Sequence, residues 1–382
     1  MNERPSQAVV ADSATPVQRG GLLNPKLQPR AISRSTSVSL DILRAAAALT
    51  VFLHHANWLH LDGGGLFMFD REVGHSAVVI FFVLSGFVIA ATMDRTRSGT
   101  DYAIKRASRI YSVAVPALLL TFAIDLVSAQ FGFAGSANYE LRRPWLYMGL
   151  HLLFAGDLWS LGISAFSDHP YWSLNYEVWY YVAFGVAVFM RGAPRSVALS
   201  LVLVVMGPKL WLLFPIWLAG VGVYRLQTRM VLPRVAARLV AAAAIALFIA
   251  FMSSGSTEQV SAAGMTAAIA FIPFSLRFSQ WFLADYGVGV LTVALIWALC
   301  STDFAIPRPV ARIGAFLAGF SFSLYLVHYP IMHLLSQLLP DYGPLAALLS
   351  FALAIGFGAV FEPQRDRLRR LLIAATRRWQ PS

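Results

Sequence analysis

The stretch from Leu40 to Trp58, LDILRAAAALTVFLHHANW, decides the fold class. An apolar helix of this length is enough to cross the hydrocarbon core of a bilayer, which takes about 20 residues. It carries Arg44 near its start and the adjacent His54 and His55 near its end. At about 100° per residue, the step from Arg44 to His55 returns to within roughly 20° of the same helix face, after a rise of roughly 16 Å. One face therefore presents a fixed cation in one leaflet and a titratable imidazole in the other. His54 points about 100° away.

The rest of the chain shares that solvent. Of 382 residues, 58% are hydrophobic and 13% charged, and the mean hydropathy is +0.63, which excludes a soluble globular domain. The expectation is an all-α membrane protein, a polytopic bundle of about ten transmembrane helices. After the first, apolar segments fall at 76–93, 111–129, 171–190, 196–206, 210–226, 236–253, 284–300, 312–334 and 344–361. Two more, 145–156 and 260–275, read as interfacial or re-entrant: the first is too short to span, and the second would invert the later basic loops. The single cysteine, Cys300, excludes an intrachain disulfide.

The net charge of +11 sits in short loops and tails, as the positive-inside rule requires, and not in a patch for nucleic acid. With a cytoplasmic N-terminus, Arg95, Arg97, Lys105, Arg106 and Arg109 lie in the first inner loop, and Arg225, Arg229, Arg234 and Arg238 in the third. Both termini are then cytoplasmic. Residues 1–38 read as a disordered basic tail, 39–362 as the membrane domain and 363–382 as a basic cytoplasmic tail. The first span starts too late and runs too long for a cleaved signal peptide. No internal repeat recurs at a fixed period.

Ionisable groups at membrane depth mark function by default, and here they are Arg44, His55, Glu177 and His328. Each has a plainer reading. Arg44 could snorkel to the headgroups, and a membrane histidine could serve an interhelical hydrogen bond. Ser85-Gly86, inside VVIFFVLSGFVIA, suits close helix packing; the Gly-x-Ser-x-Gly elbow of a serine nucleophile is absent. Arg106 and Arg109 share a face at a helix start, where they serve either as orientation signals or as a fork for phosphate. In HPYWSLNYEVWYYV, Ser173 and Glu177 share a face within a belt of Trp172, Trp179 and Tyr180. Glu177 needs a cationic partner, either His55 or Arg44, or else acts as a structural salt bridge. In FSFSLYLVHYPIMH, Tyr325 and His328 share a face just before Pro330, which opens the helix.

Taken together and in order, these motifs resemble one family, the integral-membrane acyltransferases of the acyltransferase 3 type, over nearly all of residues 38–365. The first helix is similar to the family pattern of an arginine, ten residues and a histidine, which selects His55. FFVLSGF, the pair Arg106 and Arg109, WSLNYE, FSFSLYLVHYP and the FEP at Glu362 follow in family order. Ser112 departs from the pattern where proline is frequent, and Asn175-Tyr176 replace the usual residues before Glu177.

The resemblance implies O-acyl transfer, commonly of acetyl, from cytoplasmic acyl-CoA to a hydroxyl of a polysaccharide, lipopolysaccharide or other glycolipid, by a multi-pass protein of the cell inner membrane. His55 would be the general base, with Glu177 as its orienter. Arg44 would position the donor or stabilise the oxyanion, and Arg106 and Arg109 would hold the CoA phosphates. Ser85, Trp172, Ser173, Tyr325 and His328 would contact substrate. No metal and no permanently bound cofactor are expected, acyl-CoA (acetyl-CoA) being a donor substrate; the partners are that donor, the acceptor and the bilayer. The rival is a secondary transporter or flippase for an anionic or sugar-containing substrate, since intramembrane His, Glu and Arg also mark transport paths. Its usual internal repeats are not seen. A third reading is a non-catalytic partner of a polysaccharide assembly machine.

Overall fold

A computed structural model describes residues 32–63, 65, 72–133 and 143–378. Twelve α-helices follow one another: α1 Arg34–Trp58, α2 Val73–Thr92, α3 Gly99–Gln130, α4 Pro144–Leu152, α5 Trp172–Phe189, α6 Gly192–Arg229, α7 Arg234–Ser253, α8 Ser256–Ile269, α9 Phe282–Ser301, α10 Arg308–Leu338, α11 Gly343–Phe361 and α12 Gln364–Arg378. Among the described residues the only β pairing is an isolated bridge between Ala165 and Asp168. Among the described residues, eight helices are long and apolar enough to cross a membrane: α1, α2, α3, α6, α7, α9, α10 and α11. The protein is an all-α, multi-pass membrane protein.

Two places account for the difference from ten. The first half of α5 is polar, with Ser173, Asn175 and Glu177, so this helix is not among the eight. The segments 196–206 and 210–226 form the single path of α6, broken at Gly207 (φ 73°, ψ 173°). That left-handed φ suits only glycine without strain, and Pro208 has no N–H for the carbonyl of Val204. The indole of Trp159 supplies the missing donor at 2.7 Å and packs on Gly207 so closely that a Cβ there would lie 3.0 Å from the ring. The short segments form α4, of nine residues, and α8, of fourteen; neither is among the eight.

The ends differ from expectation as well. Ser33 caps α1 by accepting the Thr36 N–H at 3.1 Å, so residues 34–38 are helical where a disordered tail was expected; residues 1–31 lie outside the described residues. The basic C-terminal segment forms α12, which packs on α3 and brings Arg369 to 3.8 Å from Asp101.

Close helix crossings build the centre. Where α2 meets α6, a Cβ on Gly86 would strike the Trp217 carbonyl and one on Gly220 the Val83 carbonyl, so the two backbones touch, as small residues in membrane helices permit. α1 lies between α2 and α10, and α10 also packs on α3 and α11. The polar faces of α1, α2, α3, α5 and α10 are thereby turned toward one another. Lipid-type surface lies outside them, with Val235, Leu239, Leu348 and Leu353 exposed on α7 and α11.

Candidate active site

Those five helices enclose a cavity of about 90 Å³. Arg44 from α1, Ser85 from α2, Arg106 and Arg109 from α3, Ser173 and Glu177 from α5, and Tyr325 from α10 all line it, although they are spread over most of the sequence. Val78, Phe81, Phe82, Leu174 and Phe322 make its apolar wall. Three guanidinium groups thus face one carboxylate across a mostly apolar space.

The start of α3 shows why the arginines point inward. Ser98 caps the helix by accepting the Asp101 N–H at 3.1 Å, and Asp101 in turn binds Lys105 at 2.7 Å. The lysine is used on the rim, leaving Arg106 and Arg109 for the cavity. The Arg106 guanidinium lies 5.9 Å from the Tyr181 ring centroid, and its buried Nε has no hydrogen-bond partner. Arg44 is 3.8 Å from Asp41, one turn back on α1.

Glu177 is held by a directed chain. The Trp217 indole N–H donates to Ser85 Oγ at 3.1 Å, Ser85 and Tyr181 are 2.9 Å apart, and Tyr181 donates to Glu177 Oε1 at 2.5 Å. Since the Tyr181 proton goes to the carboxylate, Ser85 must donate to Tyr181, and all three bonds point at Glu177. The Ser85 hydroxyl, expected to contact substrate, is therefore engaged within the protein.

His55 lies beyond the cavity lining. Tyr325 is the link: it borders the cavity, bonds Ser173 at 2.7 Å and the Pro170 carbonyl at 3.0 Å, and its ring centroid is 6.3 Å from that of His328. His55 Nδ1 is 2.9 Å from His328 Nε2, and His328 Nδ1 is 2.8 Å from the Leu324 carbonyl. A carbonyl only accepts, so His328 carries its proton on Nδ1. In the neutral pair its Nε2 accepts the His55 Nδ1–H, and the lone pair of His55 rests on Nε2. His54 turns to α2, where its ring fills the space beside Gly74.

Three expectations change here. Glu177, expected to orient His55, accepts from Tyr181 among the arginines, and His328 stands at His55 in its place. His328, expected to contact substrate, spends both ring nitrogens within the protein. Trp172 lies between Phe278, at 4.4 Å and 6°, and His75, at 5.5 Å and 11°, so both faces of its indole are covered. Sequence reading also missed Tyr181 and the buried pair His75 Nε2–Asp285 Oδ2, 3.0 Å apart. The signals existed: Tyr181 is one turn from Glu177, and Asp285 is an acid in an apolar helix.

Residues 153–171 cap the side where α5 begins. Lys209, just after the α6 break, donates to the Leu161 carbonyl, and Arg277 donates to the Gly162 carbonyl. Asn175, one of the departures noted above, donates to Asp157 at 2.7 Å, and Tyr176, the other, bonds Ser279 at 2.9 Å. Burial raises the Asp157 carboxyl to about 6 against the opposing pull of Asn175, Lys209 and Arg277. Burial, helped by Arg277, lowers His169 to about 4.

The sequence profile of a family described as an acyltransferase domain, of the acyltransferase 3 type, matches residues 37–362. The chain belongs to that family. It is 29% identical over 166 residues to nodulation protein 10 of Rhizobium leguminosarum bv. viciae, a match covering 38% of this chain and 42% of that protein. It is 31% identical over 150 residues to the O-acetyl transferase of Shigella phage Sf6, covering 39% of this chain and 45% of the relative. The chain thus spans less than half the length of these curated relatives. No solved structure is significantly similar to it.

Proposed function

We propose that this protein is a membrane O-acyltransferase moving an acyl group, acetyl in the simplest case, from acyl-CoA to a hydroxyl of a glycan or glycolipid. The observation that carries this reading is the single cavity that gathers Arg44, Arg106, Arg109 and Glu177 and ends at Tyr325, beside the His55–His328 pair. Arg106, whose Nε has no hydrogen-bond partner, and its neighbour Arg109 suit the phosphates of the donor. The apolar wall suits the acyl and pantetheine part.

In the reaction, the acceptor oxygen attacks the thioester carbonyl as His55 Nε2 takes its proton. A C–O bond forms, the C–S bond breaks, and the departing thiolate recovers the proton from His55, so the imidazole is returned neutral. Arg44, set back about 16 Å along α1 from His55, helps position the donor beside Arg106 and Arg109. The basic connections support a reading with both termini and the donor end in the cytoplasm, and the His55 end at the opposite face of the inner membrane. The name of the phage relative, an O-acetyl transferase, supports acetyl.

The test is mass spectrometry of surface glycans from cells carrying the wild type, the His55→Ala variant or no copy. A mass increment of one acyl group in the wild type alone is the expected result. Identical glycan masses in all three, with the protein inserted, overturn the proposal.

A further inference from the structure

A second cavity, of about 300 Å³, lies at the end of the bundle where α1 and α7 begin and α6 and α9 finish. It shares no lining residue with the first. Arg234 and Arg238, four apart on α7 and hence on one face, line it together with Gln227 of α6 and Asp303. Neither arginine is ion-paired among the described residues. Gln227 is only 4% exposed, yet its Nε2 has no hydrogen-bond partner. A buried donor left unpaired is costly, so a built partner is absent and a ligand is the natural one.

The other groups narrow the chemistry. Helix ends contribute with both signs, two N-termini facing two C-termini, so side chains set the charge. Asp303 Oδ1 already accepts from Ser33 at 2.9 Å. The Thr36 and Ser301 hydroxyls donate to the Leu299 and Trp297 carbonyls. The donors left over include the two guanidinium groups and the carboxamide, a set that suits a tetrahedral oxyanion. Beside them on α7, Val235 is 69% and Leu239 65% exposed, so the mouth adjoins a lipid-type surface.

We propose that this cavity binds a phosphate ester through Arg234, Arg238 and the Gln227 carboxamide, separately from acyl transfer. The group reaches it either on a phospholipid headgroup or on a soluble phosphate ester. The whole protein, in neutral-detergent micelles, is titrated calorimetrically with dioctanoyl phosphatidylglycerol, with glycerol phosphate and with phosphate-free dioctanoylglycerol. Saturable binding of the phospholipid but not of glycerol phosphate identifies a lipid headgroup; binding of both identifies soluble phosphate chemistry. Arg234→Gln/Arg238→Gln is expected to weaken either by about ten- to hundredfold, the value of charge-assisted hydrogen bonds. Arg308→Gln/Arg312→Gln removes the same charge elsewhere on the basic side and should leave affinity within about twofold.

Gln227→Leu separates binding from folding, because it should weaken binding while leaving the unliganded protein as heat-stable or more so. Equal binding of dioctanoylglycerol, equal losses in the two double variants, or no saturable binding by any probe overturns the proposal. So does joint loss of affinity and heat stability in Gln227→Leu.

Discussion

Two histidines stand at similar distances from an ionisable partner, the half-buried His55 at 2.9 Å from His328 and the buried His75 at 3.0 Å from Asp285. By composition, the second pair looks more like a catalytic dyad, because a carboxylate is the familiar orienter of a base. Access reverses that ranking. The His75 ring is stacked on Trp172 and lies 4.7 Å from Trp281, and the two side chains are 7% and 2% exposed. His55 is less enclosed, and its pair adjoins the Tyr325 wall of the cavity. A histidine needs a free nitrogen facing substrate before the identity of its partner matters.

The strongest way to break the comparison is to remove each histidine's contribution in turn. His55→Ala is expected to lower the acyl-transfer kcat by about 10²–10⁴-fold, the usual range for a positioned general base, with acyl-CoA binding retained. The readout is transfer of a labelled acyl group alongside donor binding in the same micelles. Comparable loss in a well-folded His54→Ala variant would remove the distinction between the two faces of α1.

A smaller effect sharpens the role of the partner. His328→Leu takes away the acceptor that holds the His55 Nδ1–H, and kcat should fall by about ten- to hundredfold with little change in donor KM. His328→Gln keeps a carbonyl acceptor and should recover part of that loss. Equal kcat in the Leu and Gln variants would show that His328 acts only by filling space.

At the second pair, the expected loss is of stability and not of chemistry. Asp285→Leu leaves the buried His75 nitrogen unpaired, a cost of about 1–3 kcal/mol, which thermal unfolding in micelles would register. Transfer per folded molecule should stay within about twofold of wild type, a surface-mutation-sized effect. A selective fall in kcat, with unfolding unchanged, would make His75 and Asp285 part of the reaction.

What the sequence revealed follows from where the determining forces act. The span of α1, the shared face of Arg44 and His55, and the shared face of Arg106 and Arg109 depend on helix period and hydropathy, which are local. Gathering Arg44, Arg106, Arg109 and Glu177 at one cavity was not foreseen, because it joins α1, α3 and α5 and no local pattern encodes their meeting. The His55–His328 contact joins residues on α1 and α10, and no periodicity within either helix encodes it. The sequence separates 196–206 from 210–226 but as two spans, and the Trp159 indole that satisfies the α6 break between them comes from a distant loop. The stacking of Trp172 between Phe278 and His75 is likewise tertiary, and nothing in its own segment encodes it.

The cap formed by residues 153–171 offers the finest test, because it too rests on buried polar groups. Asp157 is held at about 6 by burial, above its ordinary value of 3.8. Between these values the folded protein keeps a proton that the unfolded chain releases, so the carboxyl's contribution to stability is full below about pH 4 and is lost as pH rises through about 6. The shift is on the order of 3 kcal/mol. Asp157→Asn keeps an acceptor for Asn175 and removes the titration, so its unfolding temperature relative to wild type should climb between pH 4 and 7. His169, lowered to about 4, acts in the opposite sense, adding stability as pH rises from 4 toward 6.5, but it titrates in both proteins and cancels in the difference. A flat difference across that range would mean that Lys209 and Arg277 neutralise Asp157 fully, making the cap an ion cluster and not a buried neutral acid.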